Sequence, residues 1–350
     1  MAYQLSRADL PSMILVMGVT GSGKSYLINQ LANQNAVKES DQLASCTAVC
    51  KGVPIQIGKS RVLLIDTPGF DDTSRSDSEI LAEISKVLAA QYELGVSLKG
   101  VIYLHRITDL RFQGSSMKTL QIFTKICGVD ALKNVVLATN RWDDVVEAVG
   151  ADREQQLRTN FWAYMLSKGS IMTRFYGDRP SAVGMVSQLL GRSSIVLDIQ
   201  RELVDEGKTL NQTTAGAMVN DEAGAKKAEY EQALRDLEDL RRTLQAQDQE
   251  MRKQIQKDWA DEKARLQKAT EDQKTLRRDV AAEVRDQINT KKEKKEKSGL
   301  GKALPFLPAV LGFLGMFVGL PTGSAGGGLL TSWLSDSGIG DSITEFFSNF

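Results

Sequence analysis

Residues 18–25 run Gly18-Val19-Thr20-Gly21-Ser22-Gly23-Lys24-Ser25, and this octapeptide decides the fold. It fits G-x-x-x-x-G-K-[ST], a loop whose glycines let successive backbone N–H groups turn inward around an anion. The apolar run Met13 to Val19 leads into it and a helical pattern, Ser25 to Ala32, leads out. The loop therefore joins a strand to a helix N-terminus, where the helix dipole favours phosphate. Lys24 is placed to reach β and γ phosphates, and the Ser25 hydroxyl to ligate Mg2+. Gly18, Thr20, Gly21, Ser22, Gly23, Lys24, Ser25 and Tyr26 form the candidate phosphate-binding set.

Two further segments complete the site. Asp66-Thr67-Pro68-Gly69-Phe70 follows the apolar run Arg61 to Ile65. A carboxylate at that strand end can hold Mg2+ through water, and the Gly69 amide can sense a γ phosphate. Thr139-Asn140-Arg141-Trp142-Asp143 ends the run Asn134 to Thr139 as a form of N-K-x-D in which Arg141 replaces the usual Lys. Asp143 can accept hydrogen bonds from guanine N1 and the exocyclic amine, a pattern adenine does not offer. Asn140, Arg141 and Asp143 are thus the base-reading candidates, with a helix-capping Asp as the plainer alternative. Thr47 is the candidate switch threonine for Mg2+ and γ phosphate; Thr20 and Thr73 are less well placed.

Strand-like runs (13–19, 53–57, 61–65, 100–107, 134–139 and 171–175) alternate with helical patterns (25–32, 78–92, 116–126, 152–165 and 182–190). That order predicts an α/β fold, a mostly parallel sheet covered by helices on both faces. Only Gly58, Lys59 and Ser60 separate the second and third runs, so these two form an antiparallel hairpin at one edge.

The set GVTGSGKS, SCT, DTPGF and NRWD resembles the septin-related AIG1/GIMAP and Toc group of P-loop GTPases, together with fungal G domain-containing proteins. Gly100 to Asp109 is similar to that group's box after the fourth core strand. The resemblance covers about residues 10 to 192 and implies a partner subunit docking across the nucleotide face. Arg106 matches the arginine that the group supplies in trans; a structural ion pair with Asp109 is the alternative, and His105 lies next to it. Phe70 stands where Ras-like proteins place the glutamine that orients the attacking water, which implies slow intrinsic hydrolysis. Lys24, Thr47, Gly69 and Arg106 are the catalytic candidates. The fifth guanine loop has no clear motif, and Tyr176 to Pro180 is the candidate for it.

Lys plus Arg and Asp plus Glu both number 44, and 42% of the 350 residues are apolar. A core-forming protein is expected, not a disordered or generally basic nucleic-acid binder. Cys46 and Cys50 with His105 lack a fourth ligand at zinc-finger spacing, so Cys46, Cys50 and Cys127 are expected to be small buried thiols in a reducing cytosol. No secretory signal or lipidation motif is recognised at either end.

From Asp221 to Lys297, 39 of 77 residues are charged, with Leu237, Leu240, Leu244 and Met251 in a broken heptad. One long, partly coiled-coil helix is expected there. Lys291 to Lys297 is basic, and Ala303 to Ser335 then carries no charge over 33 residues. Residues 303–320, with their prolines and glycines, suggest a membrane segment, a hairpin or a buried cover for the GTPase. The organisation expected is a P-loop G domain at 1–192, a helical linker at 193–220, a charged helix at 221–297 and a membrane-associating tail at 298–350. The function expected is GTP binding with slow Mg2+-dependent hydrolysis to GDP and phosphate. Nucleotide state would control homo-oligomerisation, through the G domain and the coiled coil, on the cytosolic face of a membrane, without nucleic acid. The alternative is a non-hydrolysing GTP-dependent scaffold or membrane-active effector.

Overall fold

The computed structural model describes residues 11–37, 49–72, 74–110, 112, 114–243, 249–297, 314, 317 and 318. Its centre is β1 (Ser12–Met17), whose apolar residues do not alternate with polar ones, so both faces must be covered. β2 (Lys51–Ile57) and β3 (Ser60–Asp66) form the expected edge hairpin, turned at Gly58 with φ 58°. β4 (Ser97–Arg106), β5 (Val135–Asn140) and β6 (Ile171–Arg174) complete a six-stranded sheet in the order β2-β3-β1-β4-β5-β6. Every pairing except β2 with β3 is parallel.

The pleat of β1 divides the core. Ile14 and Val16 pack with Leu27 and Ile28 of α1 (Lys24–Ala32), beneath the face that α6 (Arg179–Leu190) also covers with Val186 and Leu189. Met13, Leu15 and Met17 point the other way, into the cluster shared by α2 (Asp77–Glu93) and α3 (Ser115–Cys127). α2 begins with a capping box between Ser76 and Glu79, which satisfies two otherwise orphan amides. The helix expected at 152–165 is instead α4 (Glu147–Gln156), a π turn at Leu157–Phe161 and α5 (Ala163–Ser167). A short α7 (Asp198–Gln200) runs on through a second π turn, Arg201–Asp205.

The charged stretch does not run out as one helix. It forms α8 (Thr214–Thr243), α9 (Gln249–Leu276) and α10 (Val280–Lys297). α8 and α9 lie antiparallel, with Val219 and Glu222 opposite Ala269 and Asp272 around a cavity of about 300 Å³ that also reaches Asp72 and Ser76. The sequence of α2, ILAEISKVLAAQ, is apolar nearly all round and needs burial on its outer side too. Leu276, Val280, Ala281, Val284 and Ile288 join the same core cluster as α2, and Arg285 reaches Glu93 at 2.5 Å. Lys118 of α3 bridges Asp77 and Glu222, each at 2.5 Å, and Ser76 donates to Asp272. Leu240 and Met251, two of the expected heptad positions, are instead exposed.

No helix among the described residues is long and apolar enough to cross a membrane. Of the apolar stretch 303–320, Leu314 and Val318 are described as buried in the larger core with Phe317 packed beside them. The rest of that stretch, like Leu244, lies outside the described residues. Cys50 and Cys127 are buried, and burial raises both thiols. Cys46 lies outside the described residues.

Candidate functional site

The C-terminal ends of β1, β3, β4 and β5 converge on one crevice, the usual place for a ligand in an open α/β sheet. Its floor is the 18–25 loop. Gly18, Gly21 and Gly23 hold φ values of 144°, 73° and 87°, which side chains with a Cβ rarely adopt. A Cβ on Gly18 would come 2.4 Å from the Leu104 carbonyl, and one on Gly23 would come 2.6 Å from Asn140 Nδ2. Gly23 is the N-cap of α1, so the first amides of that helix face the crevice.

Lys24 is buried, and its Nζ donates to the carbonyls of Gly18 (3.2 Å) and Val19 (3.0 Å). Burial lowers its pKa to about 8, against the upward pull of Asp66 and Asp72. A desolvated ammonium held by carbonyls suits an anionic ligand, which would supply the missing charge. The Ser25 hydroxyl donates to Asp66 Oδ2 at 2.8 Å, so the two expected metal-holding groups already share one point in space.

The D-x-x-G turn lies directly on the phosphate loop. Thr20 N donates to the Phe70 carbonyl (3.1 Å) and Thr20 Oγ1 to the Gly69 carbonyl (3.2 Å). Phe70 is buried in the core and presents no polar group to a water molecule. Thr47 and Thr73 lie outside the described residues.

The third segment closes the other side. Asn140 Nδ2 donates to the Ser22 carbonyl at 2.8 Å, tying base-reading loop to phosphate loop. Asn140 Oδ1 and Ser22 Oγ are buried without a hydrogen-bond partner. Such atoms in a crevice fit a polar ligand that completes them. Arg141 adopts a left-handed conformation (φ 59°, ψ 41°) and pairs with Asp144 at 3.2 Å, while Asp143 sits exposed in the turn Trp142–Asp144. The Tyr26 hydroxyl donates to the Gly177 carbonyl (2.9 Å), anchoring the 176–180 loop to α1.

At the end of β4, Arg106 Nε lies 2.9 Å from Asp109 Oδ1, an ion pair whose geometry is not that of a hydrogen bond. Its Nη1 approaches the phosphate loop, 3.4 Å from where a Cβ on Gly21 would stand. His105 is buried edge-on to Phe112 and Trp162, and burial lowers it to about 4 although Asp109 is 3.9 Å away. A neutral, enclosed imidazole is a packing group here.

Two contacts escaped the motifs: the closure of the 69–70 turn on Thr20, and Arg174, which stacks over Trp142. The first has no sequence signal. The second is hinted at by Glu147, Gly150 and Glu154, whose i, i+3, i+7 spacing sets one helix face toward the loop.

This fold and these loops define a P-loop GTPase domain. Residues 12–152 match the model of the AIG1 family. Translocase of chloroplast 90 from Arabidopsis thaliana is 30% identical over 133 residues, 37% of this chain and 16% of that protein. GTP-binding protein A from Dictyostelium discoideum is 26% identical over 124 residues, 35% of this chain and 26% of the relative. The chain thus covers well under a third of the length of either. Toc33 from Arabidopsis thaliana in complex with GDP and Mg2+ superposes with a TM-score of 0.44 and 17% identity, over 54% of this chain and 88% of that one.

Proposed function

We propose that the chain binds GTP with Mg2+ and hydrolyses it slowly to GDP and phosphate, and that nucleotide state governs self-association through the G domain. The observation that carries this reading is the meeting of Ser25 and Asp66 at 2.8 Å beside the buried ammonium of Lys24. Bound Mg2+ would place positive charge on the phosphate oxygens, and Ser25, Asp66 and Thr47 are the residues to hold it. Lys24 and the amides of residues 20–25 bind phosphate, Asn140 and Asp143 receive the base, and Gly69 senses the third phosphate.

Phe70 leaves hydrolysis without a water-orienting side chain of its own, which supports a contribution from outside the site. Arg106 is the group to supply it: its side chain is 35% exposed at the crevice rim, and an arginine on a terminal phosphate is worth roughly a thousandfold or more in rate. The test is hydrolysis per subunit across protein concentration. The expected result is a rise with concentration, lost in Arg106→Ala. A flat specific activity with Arg106→Ala unchanged rules out activation by self-association, and no turnover at any concentration leaves the GTP-dependent scaffold. Replacing Asp143 by Asn should shift preference from GTP toward the xanthosine nucleotide.

Membrane attachment through the tail at 303–350, apart from the buried Leu314 and Val318, is the companion proposal, supported by the uncharged stretch behind the basic run Lys291 to Lys297. Carbonate extraction of the full chain beside one ending at Lys297 tests it; equal solubility rejects an anchor.

A further inference from the structure

The base-reading loop is gripped from outside the crevice. Trp142, between Asn140 and Asp143, is 6% exposed, and its Nε1 donates to Thr139 Oγ1 at 3.1 Å. Gly150 of α4 backs the indole so closely that a Cβ there would stand 2.7 Å from Cζ3. The guanidinium of Arg174 lies over the ring, 3.8 Å from its centroid. Strand register puts Arg174 beside Thr139, at the step where β5 hands over to the loop.

Arg174 is itself locked. Its Nη2 donates to Glu154 Oε2 at 2.6 Å, its Nε to both Glu154 oxygens at 3.1 Å, and its Nη1 to Glu147 Oε1 at 2.7 Å. A planar fork can satisfy a carboxylate and stack on an aromatic ring at once, which a lysine ammonium cannot. β6, α4 and the loop are thereby joined through one side chain, although Arg174 lies outside every nucleotide motif.

We propose that Arg174 is a positioning residue for guanine selectivity, acting through Trp142 to hold Asp143 where it meets the base. The inference rests on the GTP reading above, and its test separates the two. Inosine triphosphate keeps the phosphates and N1 but lacks the exocyclic amine that Asp143 would accept from. Dissociation constants for GTP and ITP are measured on the full chain, on Arg174→Gln and on Arg174→Lys, with thermal unfolding alongside.

The wild type should prefer GTP. A charged hydrogen bond out of register forfeits about 1.4 kcal/mol, a tenfold loss, so Arg174→Gln should narrow the GTP-over-ITP ratio about tenfold. Both nucleotides should lose the hydrogen bond from N1, and GTP should in addition lose the one from its exocyclic amine, so the loss should be about tenfold larger for GTP than for ITP. Arg174→Lys keeps charge beside Glu154 but not the stack, and should also narrow the ratio while melting closer to the wild type. A ratio unchanged in both variants overturns the proposal, as does a parallel loss for both nucleotides, which marks a merely structural role. Should Arg174→Gln not fold, Arg174→Lys decides by the same criteria. A wild type without GTP-over-ITP preference overturns the base-reading role itself, whatever the variants do.

Discussion

Replacing Gly69 by Ala strikes the seam where the D-x-x-G turn lies on the phosphate loop. The added Cβ would stand 2.4 Å from Thr20 N, 2.6 Å from its Cα and 2.7 Å from its Oγ1. Backbone atoms cannot rotate aside, so the turn has to lift. Two hydrogen bonds go with it, from Thr20 N to Phe70 and from Thr20 Oγ1 to Gly69. Each is worth about 0.5–1.5 kcal/mol net, and overpacking of this kind costs about 1–3 kcal/mol before relaxation. A loss near 3 kcal/mol follows, or about 6–12 °C in Tm at about 2–4 °C per kcal/mol. Thermal unfolding of the nucleotide-free protein, followed by circular dichroism, measures it. Gly58→Ala is the control: nothing lies within 4 Å of its Cβ, so only the strain of its φ of 58° remains, about 1 kcal/mol. Equal midpoints for Gly69→Ala and the wild type would refute the reasoning, because the turn would then not be seated on Thr20.

His105 makes the protein acid-sensitive. Its native pKa, lowered by burial to about 4, lies below the unfolded value near 6.5, so the unfolded chain takes the proton first. Its contribution is flat above that range and is lost as pH falls from about 6.5 toward 4. About 2 kcal/mol should vanish between pH 7 and 5, and urea unfolding of His105→Gln should lack that part of the slope. Leu314→Ala should lower stability by about 2–4 kcal/mol, since Leu314 is only 1% exposed in the main core. An unchanged urea midpoint would mean that this side chain does not pack there.

The three loops that meet at the crevice were legible because their chemistry is local. A glycine loop between strand and helix, a carboxylate at a strand end and an Asn-x-x-Asp turn each carry their own geometry in the residue order. The central strands were legible for a related reason: residues 13–17 are apolar without alternation. What escaped is what depends on distant partners. The spacing of Leu240 and Met251 suggested a seam, and both are exposed in the single chain, while α8 and α9 meet the domain through Val219 and Leu276 and through polar groups such as Lys118, Glu222 and Asp272. The all-round apolar character of α2 was the available sign that something downstream had to cover it. Arg174 became meaningful only once register set it beside Thr139, and the hold of the Tyr26 hydroxyl on Gly177 depends on a loop about 150 residues away.

The covering of α2 also sets a timetable for synthesis. The inner side of α2 can pack as soon as the sheet forms, but its outer side waits for Leu276, Val280, Val284 and Ile288. About 200 residues separate the end of α2 from Ile288, so at about 5–20 residues per second the exposed interval lasts about 10–40 s. A ribosome-bound chain that has already made every nucleotide motif therefore still shows an apolar helix to its surroundings, and chaperones would meet it as an unfinished domain.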